Sequence, residues 1–101
     1  MIKHIVMFKF RDDVEPTVRE AAAQSFKQGI EALPAVIPFI RQVQVGFNVN
    51  PVEKWDICLD STFDTLEDVK AYAVHPAHKA VAVALMQHIG ERACVDFATG
   101  E

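Results

Sequence analysis

Residues 2–10 read Ile2-Lys3-His4-Ile5-Val6-Met7-Phe8-Lys9-Phe10. Ile2, His4, Val6, Phe8 and Phe10 share one face of an extended chain, while Lys3, Ile5, Met7 and Lys9 share the other. A period of two, with two phenylalanines and several β-branched residues, predicts a strand. Apolar side chains stand on both faces, so neither is suited to open water. One face must meet helices, and the other calls for a second covering.

The remaining elements follow outward from this strand. Arg11-Asp12-Asp13 ends it with charge, and from Pro16 to Leu33 the period lengthens. Val18, Ala22, Phe26, Ile30 and Leu33 recur every three or four residues, and Pro16 suits the first turn of a helix. Pro34 and Pro38 forbid its continuation. Ile40–Val49 and Trp55–Phe63 alternate again, and the turn-rich Asn50-Pro51-Val52-Glu53-Lys54 joins them as an antiparallel hairpin. Thr65, with Glu67 and Asp68 behind it, reads as the N-cap of a short helix reaching Ala73. Val74-His75-Pro76 breaks that helix, because the residue before a proline is pushed out of the helical region. A second piece is expected over Ala77–Ile89, closed by Gly90, and a last strand over Ala93–Ala98. The order is β-α-β-β-α-β, an α+β, ferredoxin-like arrangement with a four-stranded antiparallel sheet. It fills residues 1–101 as one domain. Its second apolar sheet face predicts a homodimer, two sheets closing face to face into a dimeric α/β barrel of eight strands.

Composition narrows the functions. Half of the 101 residues are apolar and 24% are charged, with four glycines and five prolines. That excludes a disordered tail, a collagen-like fibre and a disulfide scaffold. The net charge of −4 offers no basic footprint, so nucleic acid is not an expected partner. No apolar run approaches the roughly 20 residues of a membrane span. The polar opening Met1-Ile2-Lys3-His4 lacks the pattern of a signal peptide, which places the protein in the cytoplasm. Cys58 and Cys94, far apart and inside strand-like runs, are expected to be reduced and buried.

Few residues carry chemistry. His4 stands mid-row on an apolar strand face. Tyr72, the chain's one tyrosine, ends the short helix, where its plain role is to pack a ring and bond a hydroxyl. His75 falls where an N-cap belongs. His78 sits in the first turn of the following helix, where the positive dipole end lowers the pKa of an imidazole and keeps it fit to act as a base. His88, late in the same piece, is expected near a carbonyl end or in solvent. The His75-x-x-His78 spacing is a weak metal signal, because the proline breaks the turn and no adjacent Cys or carboxylate completes a set. No metal and no cofactor are expected. Glycine is too scarce for a nucleotide cradle.

Three stretches together carry a resemblance: Lys3 to Phe10, Ala71-Tyr72-Ala73-Val74-His75-Pro76-Ala77-His78, and Val95-Asp96-Phe97. In that order, over essentially the whole chain, the sequence resembles the stress-responsive dimeric α/β-barrel family. The resemblance implies a ferredoxin-like protomer and a barrel-forming homodimer. Most members lack a defined reaction. One, a plant polyketide cyclase, closes a linear polyketide by aldol condensation without a cofactor. The resemblance puts His4, Tyr72 and His78 at its pocket positions, which implies His78 as base, Tyr72 as donor to an enolate oxygen and His4 as support. Phe26 stands where that cyclase has a further tyrosine, which argues against the same substrate.

Three readings emerge. The first is a small dimeric binding protein of undefined activity, holding a small apolar ligand between helices and sheet. The second is a cofactor-free cyclase or isomerase. The third is a monooxygenase of the same fold, cofactor-independent or haem-linked, recruiting Trp55 and His78; it rests on fold analogy alone. For either of the first two, Val6, Phe8, Phe26, Leu59 and Ile89 are expected to wall the pocket, with His75 beside them.

Overall fold

The computed structural model describes residues 1–100. β1 (Ile2–Phe10) is followed by α1 (Pro16–Glu31), a short 3-10 turn (Leu33–Ala35), β2 (Gln42–Phe47) and β3 (Ile57–Phe63). α2 (Leu66–Val74), α3 (Pro76–Met86) and β4 (Ile89–Ala98) complete the chain. The strands lie in the order β2-β3-β1-β4, with every neighbouring pair antiparallel. This is the ferredoxin-like arrangement, its helices packed on one side of the sheet.

β1 holds its alternation in space. His4, Val6, Phe8 and Phe10 are buried toward the helices, against Leu59 and Phe63 of β3 and Phe26 and Ile30 of α1. Ser61 is the other buried polar residue of this face; its hydroxyl donates to the His4 carbonyl at 3.1 Å, which offsets its loss of water. α1 and α3 approach closely at Gly29, where a Cβ would stand 2.9 Å from Val81 Cγ1.

Several boundaries differ from the expected ones. α1 stops at Glu31, because the chain tightens into the 3-10 turn around Pro34. β2 is cut to Gln42–Phe47, since the Asn48 side chain bonds Asn50 and Glu53 and turns the chain before Val49 can pair. Asp56 closes the far side of that loop, its carboxylate accepting from Phe10 N–H at 2.8 Å. The larger correction concerns the last helix and strand. α3 ends at Met86, so His88 lies in a turn, and β4 begins at Ile89 rather than Ala93. Gly90 caps no helix. The pairing shifts register between Lys9 and Phe10, which face Glu91 and Ile89, and Gly90 is the extra residue of that bulge.

β4 is an edge strand that the helices leave largely uncovered. Cys94 is therefore exposed, and Cys58 is only half-buried on the opposite face, against the expectation that both are buried. That opposite face carries Ile5, Met7, Ala93, Val95 and Phe97, with Val95 52% and Phe97 47% exposed. Lys3 bridges to Asp60 across it at 2.7 Å. No helix among the described residues is long and apolar enough to cross a membrane.

Candidate functional site: a cavity at the helix break

The break between α2 and α3 is built by two residues. Pro76 has no N–H to continue the helix and forces His75 into an extended conformation, with ψ of 132°. The His75 ring Nδ1 then accepts from Ala77 N–H at 3.1 Å and caps α3. Because the Ala77 amide is engaged there, the Ala73 carbonyl at the end of α2 is left over. The His78 ring takes it, Nδ1–H donating to Ala73 O at 3.2 Å. A carbonyl can only accept, so the hydrogen sits on Nδ1 and the neutral ring carries its lone pair on Nε2.

Tyr72 lies across this junction from His78, with ring centroids 4.3 Å apart. Its side chain also packs on Phe63 at 5.1 Å and on His4 at 6.1 Å. Tyr72 is 1% exposed, and among the described residues its hydroxyl is the one buried side-chain polar atom with no hydrogen-bond partner. Desolvation holds its pKa well above the ordinary phenol value, so the hydroxyl stays protonated and free to donate. The ionisation of His78 is shifted too. Burial lowers its pKa from the usual 6.5, outweighing the bond to Ala73, and the neighbouring His4, Arg92 and His75 lower it further. The direction is the one expected, although its leading cause is loss of water rather than the helix dipole.

His4 reaches the same place from β1. Asp96, its partner across the β1–β4 ladder, accepts from His4 Nδ1–H at 2.5 Å. That bond fixes the orientation of the ring. Cys94 Sγ stands 3.7 Å from Nδ1, so a Cys and a carboxylate gather around His4 and not around the His75-x-x-His78 pair. The three groups do not form a zinc centre as they stand. Two ligands of one tetrahedral zinc lie about 3.3 Å apart, and His4 and Asp96 are in hydrogen-bond contact instead. The Cys94 pKa is also raised, by partial desolvation against the inner sheet face and by the Asp96 carboxylate, which favours the thiol form.

These groups border one cavity of about 170 Å³ between sheet and helices. His4, Tyr72 and His78 line it, together with Val6, Phe8, Phe26 and Leu59. Two expected wall residues stand elsewhere. Ile89 opens β4 opposite Phe10, because α3 is a turn shorter than its apolar spacing predicted. His75 is spent as a cap outside the lining. Trp55 and His78 are not brought together; Trp55 lines a separate hollow with Met7 and Phe47 and stacks under Lys54. Arg92 borders the cavity and Asp96 supports it, and neither was singled out from the sequence as a site residue. Their signal was the pairing of first and last strands in this fold, which places both on the inner face once the register is known.

The profile of the stress-responsive A/B barrel domain matches residues 2–99. This chain belongs to that family. Among similar proteins, olivetolic acid cyclase of Cannabis sativa is 30% identical over 80 residues, covering 76% of this chain and 75% of the cyclase. An uncharacterised protein of Streptomyces coelicolor is 32% identical over 102 residues, covering 96% of this chain and 98% of its own. A crystal structure from Bacteroides fragilis, described as a dimeric protein of unknown function with a ferredoxin-like fold, is 51% identical. It superposes with a TM-score of 0.95 over 97% of this chain and 95% of that one. The proteins similar to this chain thus include a named cyclase and a dimer of unknown function.

Proposed function

We propose that this chain is a homodimeric, cofactor-free acid–base catalyst acting on a small, largely apolar carbonyl compound held between helices and sheet. The observation that carries the reading is the buried, unpartnered Tyr72 hydroxyl beside a neutral His78. An unpaired buried hydroxyl costs stability, and a ligand oxygen would satisfy it. His78 Nε2 removes a proton from the carbon next to the carbonyl. The electron pair moves onto the carbonyl oxygen as an enolate, and Tyr72 O–H donates to that oxygen. His4, oriented by Asp96, positions the substrate. Returning the proton to another carbon gives an isomerisation; attack of the enolate carbon on a second carbonyl of the same molecule, whose oxygen takes the proton back from His78, gives a cyclisation. The apolar Phe26 on the wall favours a substrate with less to hydrogen-bond than one recognised by a further tyrosine.

Incubation with acetophenone or cyclohexanone in deuterated buffer tests the reading, with loss of the α-proton signal followed by NMR. Wild-type protein is expected to speed exchange above buffer. A ketone that shifts the Tyr72 and His78 resonances yet exchanges no faster than in buffer would leave a binding protein without catalysis.

The proposed dimer joins the outer sheet faces into an eight-stranded barrel. Its support is the apolar row of Ile5, Met7, Val95 and Phe97, which a lone sheet leaves wet, and the dimeric description of the 51% identical relative. Sedimentation at micromolar concentration is expected to give twice the chain mass, and Phe97→Glu to give the single mass. A monomeric wild type removes the dimer.

A further inference from the structure

We infer that Arg92 makes the open side of the cavity an anion subsite, so that the ligand is a small carbonyl acid with its apolar body inside and its carboxylate on the guanidinium. This rests on the reading of the cavity as a ligand site and adds the class of ligand it takes.

Arg92 faces Phe8 across the β1–β4 ladder and so stands on the inner face of the edge strand. It is the one permanently charged side chain on the cavity lining, where every other residue is apolar, a histidine or Tyr72. The other arginines are engaged: Arg11 with Asp13, Arg41 with Asp64, and Arg19 with the carbonyls of Val14, Arg11 and Asp12. Arg92 has no carboxylate partner among the described residues; its guanidinium lies near the Cys94 thiol two residues on and acts to lower that thiol's pKa. Asp96, the acid on the same strand face, is taken by His4. An arginine left without an acid beside an apolar hollow is suited to a planar anion, which its fork binds through two parallel hydrogen bonds.

The second observation is the unpartnered Tyr72 hydroxyl, 1% exposed, on the same lining. It asks for an acceptor inside, while Arg92 asks for an anion at the rim. A ligand with a carbonyl oxygen and a carboxylate on one small frame answers both. Size sets the frame: an apolar cavity of about 150 Å³ holds benzene, so about 170 Å³ has room for a single ring, with the open side left for a carboxylate.

Benzoylformate and its methyl ester are the probes. They share ring and ketone, differ in the charge, and have no α-proton to exchange, so binding is read apart from turnover. Titration followed through the Tyr72, Ala73 and His78 amide resonances is expected to show the acid binding roughly tenfold tighter than the ester to wild-type protein. Arg92→Gln is expected to weaken the acid to the level of the ester and leave the ester unchanged. Arg92→Lys should keep part of the preference through charge alone. Arg92 is exposed, so a well-dispersed spectrum is expected for both variants. Equal binding of acid and ester to wild type, or undiminished acid binding by Arg92→Gln, overturns the anion subsite while the cavity remains a ligand site. Binding of neither probe at these resonances removes the ligand-site reading, and this inference with it.

Discussion

Exchange of the α-protons of a bound ketone is expected to fall about 10²- to 10⁴-fold in His78→Gln, the usual contribution of a positioned general base. Glutamine keeps a polar side chain of similar reach but has no basic lone pair near neutral pH. Ketone binding and melting temperature should therefore change little, and the loss should fall on the rate. The pH dependence identifies the base more closely. Burial holds the His78 pKa below 6.5 in the folded protein, and only the neutral ring can accept a proton. The wild-type rate should be low in acid, rise with a midpoint below pH 6.5, and stay level through neutrality. A rate in His78→Gln equal to wild type, or a wild-type midpoint well above 6.5, assigns the base elsewhere.

Tyr72→Phe should separate stability from chemistry. The phenol ring packs against Phe63 and both histidines, and phenylalanine keeps that packing while deleting a buried hydroxyl with no partner. Relief of an unsatisfied buried donor stabilises by about 1 kcal/mol or more, which in a domain of this size raises Tm by roughly 4–8 °C. The same deletion removes the donor to the enolate oxygen, and such donors contribute about 10²- to 10³-fold in rate. A more stable and slower variant is the expected combination. Calorimetry beside the exchange assay checks it: a destabilised Tyr72→Phe means the hydroxyl already has a partner, and an undiminished rate means it has no part in the reaction.

Sequence spacing carried most of the fold because most of its signals are local. The alternation of Ile2–Phe10, the Thr65 cap and the Pro76 break each act within a few residues, and the structure keeps all three. The end of α3 and the start of β4 were not legible in the same way. Ile89-Gly90-Glu91-Arg92 shows no alternation, since this edge strand is held by backbone pairing with β1 rather than by burial of its side chains. Misplacing that boundary put Ile89 on a helix and into the pocket wall. The cavity's core was readable because His4 lies mid-strand while Tyr72 and His78 flank one proline. Arg92 and Asp96 were not, because the register between the first and last strands is recorded in neither strand's own pattern. Only the folded ladder sets Asp96 against His4 and Arg92 against Phe8.

β1 has no idle position. Its even-numbered residues from His4 onward build the core and the cavity, and Lys3, Ile5 and Met7 build the opposite face. Gaining or losing one residue within it would send Lys3 or Ile5 inward and His4 outward, exchanging the two faces at a stroke. Evolutionary change in such a domain is therefore confined, along this strand, to replacement at constant length. Diversity of ligand can accumulate by single exchanges on the uncovered edge strand or around the helix break, where insertions meet less resistance. Lineages of this architecture should differ in loop length and rim residues long before they differ in the length of their first strand.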